Sequence, residues 1–407
     1  MKTKLLSVAL VLTLLTSLAG CSKESAKDSN TLVLALRSDA YAEVIRQCLP
    51  AFEKEHNVTC KIEEFSEEDL HNTLLNDSVG GAGTYDLCML DASWIAEFTA
   101  NEMLAELSEY DYSFDDDIIP ATTGICTKDG GIYMVPYYGN VTVMLYNKSL
   151  LAEAGLAESG IETLEDVMAL SEQANASGQM GFLYRGDTEN NIVVDFLPIL
   201  CAFGGWVVND ANEPTVNTAE FRAAMEYYKK LAATGGAQAK EDLIASVEHA
   251  DAAVGVGWPG WYIPKEGSSA YYCAVPGKVS ADAKQYNSNI YGIWSLGIPN
   301  NAPHTELAAE LLKYLMDAEV QKTTIEHGGV PCRYSSLNDP KVLEEYPYYA
   351  EICDALENGV YRPNMEEWTD FYTILGQQMM EIMEDDISIA DGLLIAQETL
   401  EDLMGIE

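Results

Sequence analysis

Between Thr31 and Leu90, short apolar runs alternate with helical stretches, and this rhythm does most to narrow the fold. Thr31 to Leu36 reads as a strand, Tyr41 to Glu55 as a helix with Asn57 just past its end, and Thr59 to Glu63 as a second strand. Ser66-Glu67-Glu68-Asp69 is a capping-box pattern that opens a short helix, and Tyr85 to Leu90 is a third strand. Alternating β and α elements predict an α/β fold built on a mostly parallel sheet with helices on both faces. The middle of the chain is richer in helix. Thr163-Leu164-Glu165-Asp166 caps one helix, and Asn217-Thr218-Ala219-Glu220 caps another. Phe221, Ala224, Met225 and Tyr228 then fall at helical spacing, as do Ala308, Leu311, Leu312 and Leu315. Helical stretches near Glu366 to Glu384 and Ser388 to Met404 close the chain. With 407 residues and no Pro/Gly-rich linker, two lobes would have to exchange the chain more than once.

Residues 1–20 read as a leader rather than as part of the fold. Lys2 and Lys4 precede an apolar run from Leu5 to Leu15, too short to span a bilayer, and Leu18-Ala19-Gly20-Cys21 ends it in small residues and a cysteine. The pattern predicts export, and it is similar to the lipobox of bacterial lipoproteins, which implies lipidation of Cys21. Residues 21–30 then form a small, polar tether. The lipobox places the protein on the outer face of the cytoplasmic membrane, held through its anchor alone.

Charge excludes one partner class. With 23 Lys and Arg against 65 Asp and Glu, net −42, the chain has no basic face for nucleic acid. Eight cysteines follow Cys21, most of them in apolar runs such as Leu87-Cys88-Met89-Leu90, which suits buried free thiols. Their spacing is that of no zinc site, and no metal or cofactor is expected. Gly255-Val256-Gly257-Trp258-Pro259-Gly260 spells a GxGxxG string, but Pro259 and Pro264 prevent the helix that a dinucleotide site requires. Asp115-Asp116-Asp117 lacks the spacing of a calcium loop.

The tryptophans carry the positive signal, because they lie beside turns. Trp94 follows the third strand, Trp206 follows Gly204-Gly205, Trp258 and Trp261 bracket Pro259-Gly260, and Trp294 follows Gly292. Flat aromatic faces beside loops suit the C–H faces of sugar rings, with nearby amides, carboxylates and guanidiniums taking the hydroxyls. Trp368 opens a late helix and reads as core.

Several blocks, in order along the chain, resemble those of sugar ABC-transporter solute-binding proteins, the maltose-binding-protein-like group. Tyr85-Asp86 with Asp91-Ala92-Ser93-Trp94-Ile95-Ala96-Glu97-Phe98 is one, and Gly131-Ile132-Tyr133-Met134-Val135-Pro136-Tyr137-Tyr138 with Leu145-Tyr146-Asn147-Lys148 is another. Gly292-Ile293-Trp294-Ser295-Leu296-Gly297-Ile298-Pro299 is similar to a third, with Ile293 where that group has glycine. Gly328-Gly329-Val330-Pro331-Cys332-Arg333 and Arg362-Pro363-Asn364 resemble the C-terminal blocks.

The resemblance implies a two-lobed, type II periplasmic-binding-protein-like fold with a three-segment hinge. The lobes are expected at 31–138 plus 295–340 and at 139–294 plus 341–407, with crossings near Tyr137–Val141, Ile290–Trp294 and Asn338–Glu345. It implies a non-enzymatic, monomeric protein that closes its cleft on a sugar, oligosaccharide or polyol and hands it to ABC permease subunits. Carried over, the ligand-binding positions are Asp91, Trp94, Asn140, Trp258 and Trp294, with Trp261 and Tyr138 as neighbours, and Arg37 and Arg362 as candidates. Asp91 could equally cap the helix beginning near Ser93, and Arg362 could close a lobe-spanning salt bridge. Arg333 and Trp206 are weaker candidates. A polyamine ligand in the same fold, or an anchored glycoside hydrolase, would be the alternatives.

Overall fold

The computed structural model describes residues 30–79, 81–265 and 267–406. The leader at 1–20, Cys21 and all of the tether but Asn30 lie outside the described residues. Among the described residues twelve strands run in chain order: β1 (Thr31–Arg37), β2 (Thr59–Phe65), β3 (Leu87–Asp91), β4 (Thr127–Lys128), β5 (Gly131–Ile132), β6 (Val135–Tyr138), β7 (Val143–Asn147), β8 (Met180–Tyr184), β9 (Gly236–Ala237), β10 (Ala252–Gly257), β11 (Ala270–Ala274) and β12 (Trp294–Gly297). They form two five-stranded sheets, ordered β2-β1-β3-β12-β6 and β11-β7-β10-β8-β9, and a small hairpin of β4 and β5.

The local signals act as their chemistry dictates. Helix Ala40–His56 buries Ala42, Ile45, Leu49 and Phe52 along one stripe, and stops where Asn57 turns left-handed and its N–H bonds the Glu53 carbonyl. The hydroxyl of Ser66 accepts from the Asp69 amide, capping helix Glu67–Ser78. Thr163 and Asp166 form a reciprocal capping box at helix Leu164–Ala176. The α/β class holds, but each sheet is mixed rather than mostly parallel. β1 pairs in parallel with β2 and β3, and β8 with β9 and β10, whereas β12 is antiparallel to β3 and β6, and β7 to β10 and β11. The physical reason is the exchange of chain: β7 and β12 each begin just after a crossing from the other sheet, so they enter from the edge where their neighbours end.

Three segments meet between the sheets. Residues Val141 and Tyr291 form an antiparallel bridge, and Ile290 and Val360 a parallel one. The Gly292 N–H donates to the Asn140 carbonyl at 2.9 Å, and that of Tyr291 to Val360 at 3.0 Å. The chain passes from the first sheet to the second between β6 and β7, and back between β11 and β12. A third segment reaches the seam at Val360, whose N–H donates to the Asn289 carbonyl at 2.8 Å. Residues Pro340–Glu345 form a short helix, and Val342, Tyr348, Tyr349, Ile352 and Leu356 belong to a buried cluster that takes in the first sheet together with Val143, Leu145 and Tyr272 of the second. Met365, Trp368 and Phe371 join the cluster of the second. All eight described cysteines are free, six buried and Cys60 and Cys273 half-buried. No described helix is long and apolar enough to cross a membrane.

Candidate functional site

The mixed sheets place the ends of β1, β3 and β6 and the start of β12 on one edge, because β12 runs against its neighbours. In register terms Trp294 faces Asp91 on one side and Tyr138 on the other. The second sheet does the same: Gly257 at the end of β10 pairs with Val143 at the start of β7, with β8 ending alongside. Side chains just beyond these edges converge on the seam between the sheets, the place where open α/β sheets bind ligands.

There they line a cavity of about 560 Å³, counting space open to solvent. Of the residues singled out in the sequence, Arg37, Asp91, Asn140, Trp258, Trp261, Trp294 and Arg362 all reach it. Two do not. Tyr138 is buried behind the wall, its hydroxyl donating to the Gly328 carbonyl at 2.5 Å and its ring against that of Tyr41 at 4.7 Å. Trp94 packs edge-on to Trp294 and stacks on Phe98, and touches only a neighbouring chamber. Sequence shows that a residue ends a strand; it does not show which way the register turns its ring.

The weaker candidates find structural partners instead. Arg333 is buried and binds Asp115 at 2.9 Å and Asp117 at 3.2 Å, which also accounts for the acidic triplet. Trp206 packs against the second cluster, and Trp368 is core.

Sequence reasoning missed Asp39, Tyr41, Glu67, Arg185, Asn190, Asn191, Val194 and Lys240, which with Gly292 complete the lining. Arg185 carried a usable signal, standing directly after β8 as Arg37 ends β1. Lys240 and the asparagines lie on helices whose approach to the cleft only the tertiary fold defines.

The charges in the cavity are largely paired. One Arg362 nitrogen donates to both Asp91 carboxylate oxygens, at 2.5 and 2.7 Å, and both residues are buried. Asp91 also accepts from the amide and hydroxyl of Ser93, at 2.9 and 2.8 Å, so it caps that turn as well. Both alternatives foreseen for Asp91 and Arg362 are realised together. Arg185 binds Asp195 through three N–H groups and stacks over Trp261 at 5.0 Å. Arg37 lies over Trp294 at 5.4 Å and Tyr41 at 5.7 Å, and its nearest carboxylate, Glu67, is 3.9 Å away.

Burial pushes the Tyr41 phenol up to about 12, so it stays protonated; it accepts from Asn140 at 3.1 Å and keeps its own proton to donate. Desolvation by the cleft walls, followed by the charge of Asp91, raises Glu67 above the usual carboxylate range. About a third of the Glu67 side chain (32%) still meets solvent, which tempers that effect.

Four buried polar atoms on lining residues have no partner among the described residues: the Nε donors of Arg37 and Arg362, and the Oδ1 acceptors of Asn140 and Asn190. Buried donors and acceptors are ordinarily satisfied, so this set calls for a ligand that both donates and accepts. No group of three or more potential metal ligands occurs among the described residues.

A two-lobed α/β molecule with its cavity at a three-segment seam defines a class of binding protein. The model of the bacterial extracellular solute-binding protein family matches residues 35–322, and the chain belongs to that family. It is similar to the galactooligosaccharide-binding protein of Bacillus subtilis, 23% identical over 88% of this chain and 87% of that one. Among solved structures it resembles maltose-bound MalE3 of T. maritima, with a TM-score of 0.81 and 22% identity over 92% of this chain and 99% of that one. It also resembles a solute-binding protein of Agrobacterium radiobacter in complex with ribitol, with a TM-score of 0.80 and 22% identity over 92% and 98% of the two chains.

Proposed function

We propose that this protein captures an extracytoplasmic carbohydrate in the cleft and delivers it to the transmembrane subunits of an ABC transporter. One observation carries the reading: Trp258, Trp261 and Trp294 wall a cavity whose lining leaves both donors and acceptors unfilled. Sugar rings present apolar C–H faces to indoles and hydroxyls that donate and accept at once, so they satisfy both halves of that site. Arg37, Asp91, Asn140, Trp258, Trp261, Trp294 and Arg362 are the proposed ligand contacts, joined by Tyr41 and Glu67. Tyr138 supports the wall from behind.

The division into lobes at 31–138 with 295–340 and 139–294 with 341–407 is part of the same proposal. Closure about the three-segment seam would trap the ligand and present the shape that the permease reads. We further propose that Cys21 carries a lipid anchor and that the protein works as a monomer without catalysis. The relatives' bound maltose and ribitol, and the oligosaccharide named for the Bacillus protein, support the ligand class. A polyamine is disfavoured, since three guanidiniums and Lys240 line the cavity against Asp39, Glu67 and Asp91.

A thermal-shift screen of sugars, polyols, amino acids and polyamines tests the reading, because a ligand of the native state raises the melting temperature by mass action. At least one carbohydrate should do so. A shift with polyamines or amino acids alone would overturn the ligand class and leave the family intact.

A further inference from the structure

Two residues that line the cleft break the local rules of their own helices. Asp39 holds the N-cap position of helix Ala40–His56, where an aspartate carboxylate ordinarily accepts from the first amides, yet its side chain makes no cap bond. Its backbone stands at φ 65° and ψ −141°, in a region that favours glycine and strains any other residue. Lys240 is the first residue of helix Lys240–Glu248, where the helix dipole favours an anion over a cation. Neither placement is explained by the helix it begins.

One contact explains both. Lys240 Nζ donates to Asp39 Oδ2 at 3.3 Å, across 201 positions of sequence. Asp39 follows β1 of the first sheet and Lys240 follows β9 of the second, so the bond spans the cleft. A second bond does the same: the amide of Asn190, after β8, donates to Glu67, after β2, at 3.2 Å. All four residues line the cavity. The other carboxylate near Lys240 is Glu241 on its own helix, at 3.8 Å. The Asp39 side chain is 62% exposed, so the pair contributes little to the fold as a whole. A weak bond that exists in only one of two conformations still shifts the balance between them.

We infer that Asp39 and Lys240 form a latch that biases the ligand-free cleft toward closure, with Glu67 and Asn190 as its second bond. Local strain at Asp39 and an adverse charge at Lys240 are what this latch costs the two helices. The inference rests on the lobe closure proposed above and adds the contacts that set its balance.

Small-angle X-ray scattering of the ligand-free mature chain tests it, with a thermal melt of each variant alongside. The wild type should scatter as the bridged conformation does. Asp39→Gly removes the carboxylate and suits the backbone, while Lys240→Glu sets a like charge against Asp39 and suits its helix end. Each should shift the ratio of open to closed forms about three- to five-fold toward the open one, read as a larger radius of gyration, without lowering the melting temperature. A wild type that is already open, or a radius unmoved in both variants, would overturn the latch and leave the ligand class intact. Expansion that comes with a lowered melting temperature in both would make the pair a brace of the fold and overturn the assignment too. A carbohydrate that binds Asp39→Gly yet leaves it expanded would overturn the closure reading, and the latch with it.

Discussion

Replacing either member of the Asp91–Arg362 pair should be costly, and unequally so. Both side chains are buried, Asp91 at the end of β3 and Arg362 just past Val360, so the pair ties the first sheet to the seam. Breaking a buried ion pair leaves an uncompensated charge and costs about 3–5 kcal/mol. Arg362→Ala leaves Asp91 with two bonds from Ser93, which still solvate its charge. Asp91→Ala leaves a guanidinium whose Nε already lacks a partner, and it also removes the cap from the turn at Ser93, a loss of about 1 kcal/mol. Asp91→Ala should therefore be the more destabilising by about 1 kcal/mol. The double variant should fall short of the sum by about 2–3 kcal/mol, because the second removal takes away a charge already stranded. Urea denaturation of the ligand-free chain, followed by tryptophan fluorescence and circular dichroism together, measures all three differences. Additivity within about 0.5 kcal/mol, or Arg362→Ala as the worse single change, would refute this account of the pair.

Trp258→Ala and Trp261→Ala should each weaken carbohydrate binding by about 30-fold, as loss of an aromatic contact of about 2 kcal/mol implies, with an unchanged far-ultraviolet spectrum; retained affinity in both would remove stacking from the mechanism. Gly292→Ala places a Cβ 2.5 Å from the Trp258 ring and should displace the indole, lowering affinity and melting temperature together. Glu67 is held above its ordinary value, so the native state binds more protons than the unfolded chain between the ordinary and the raised value. Its contribution to stability is then present at low pH and lost as pH rises through that window. Glu67→Gln should accordingly gain on the wild type from pH 4 to pH 7 in denaturation experiments, and an advantage that shrinks as pH rises would contradict the assignment.

Much of this was legible in the chain because it rests on local chemistry. The capping residues Ser66 and Thr163 act within one turn of helix, so short sequence windows contain their whole cause. Seven of the nine residues singled out share one cavity, since residues beside strand ends and Gly/Pro turns are those that a sheet edge exposes. What was not legible is set by pairing across long sequence distances. Antiparallel entry of β12 decides that the sheets are mixed, and a shift in the β6–β12 register at Trp294 accompanies Tyr138's place behind the wall. The approach of Val360 to the seam was hidden because a two-residue bridge to Ile290 has no periodicity to read. Arg185 and Lys240 come to the cleft through the packing of the second sheet, more than a hundred residues from Arg37.

Isothermal titration of the purified mature chain with sugars, oligosaccharides, polyols, amino acids and polyamines tests the central claim most directly. The account predicts saturable one-to-one binding of at least one carbohydrate, weakened by Trp258→Ala. Saturable binding of an amino acid or polyamine, with no carbohydrate bound, would contradict it.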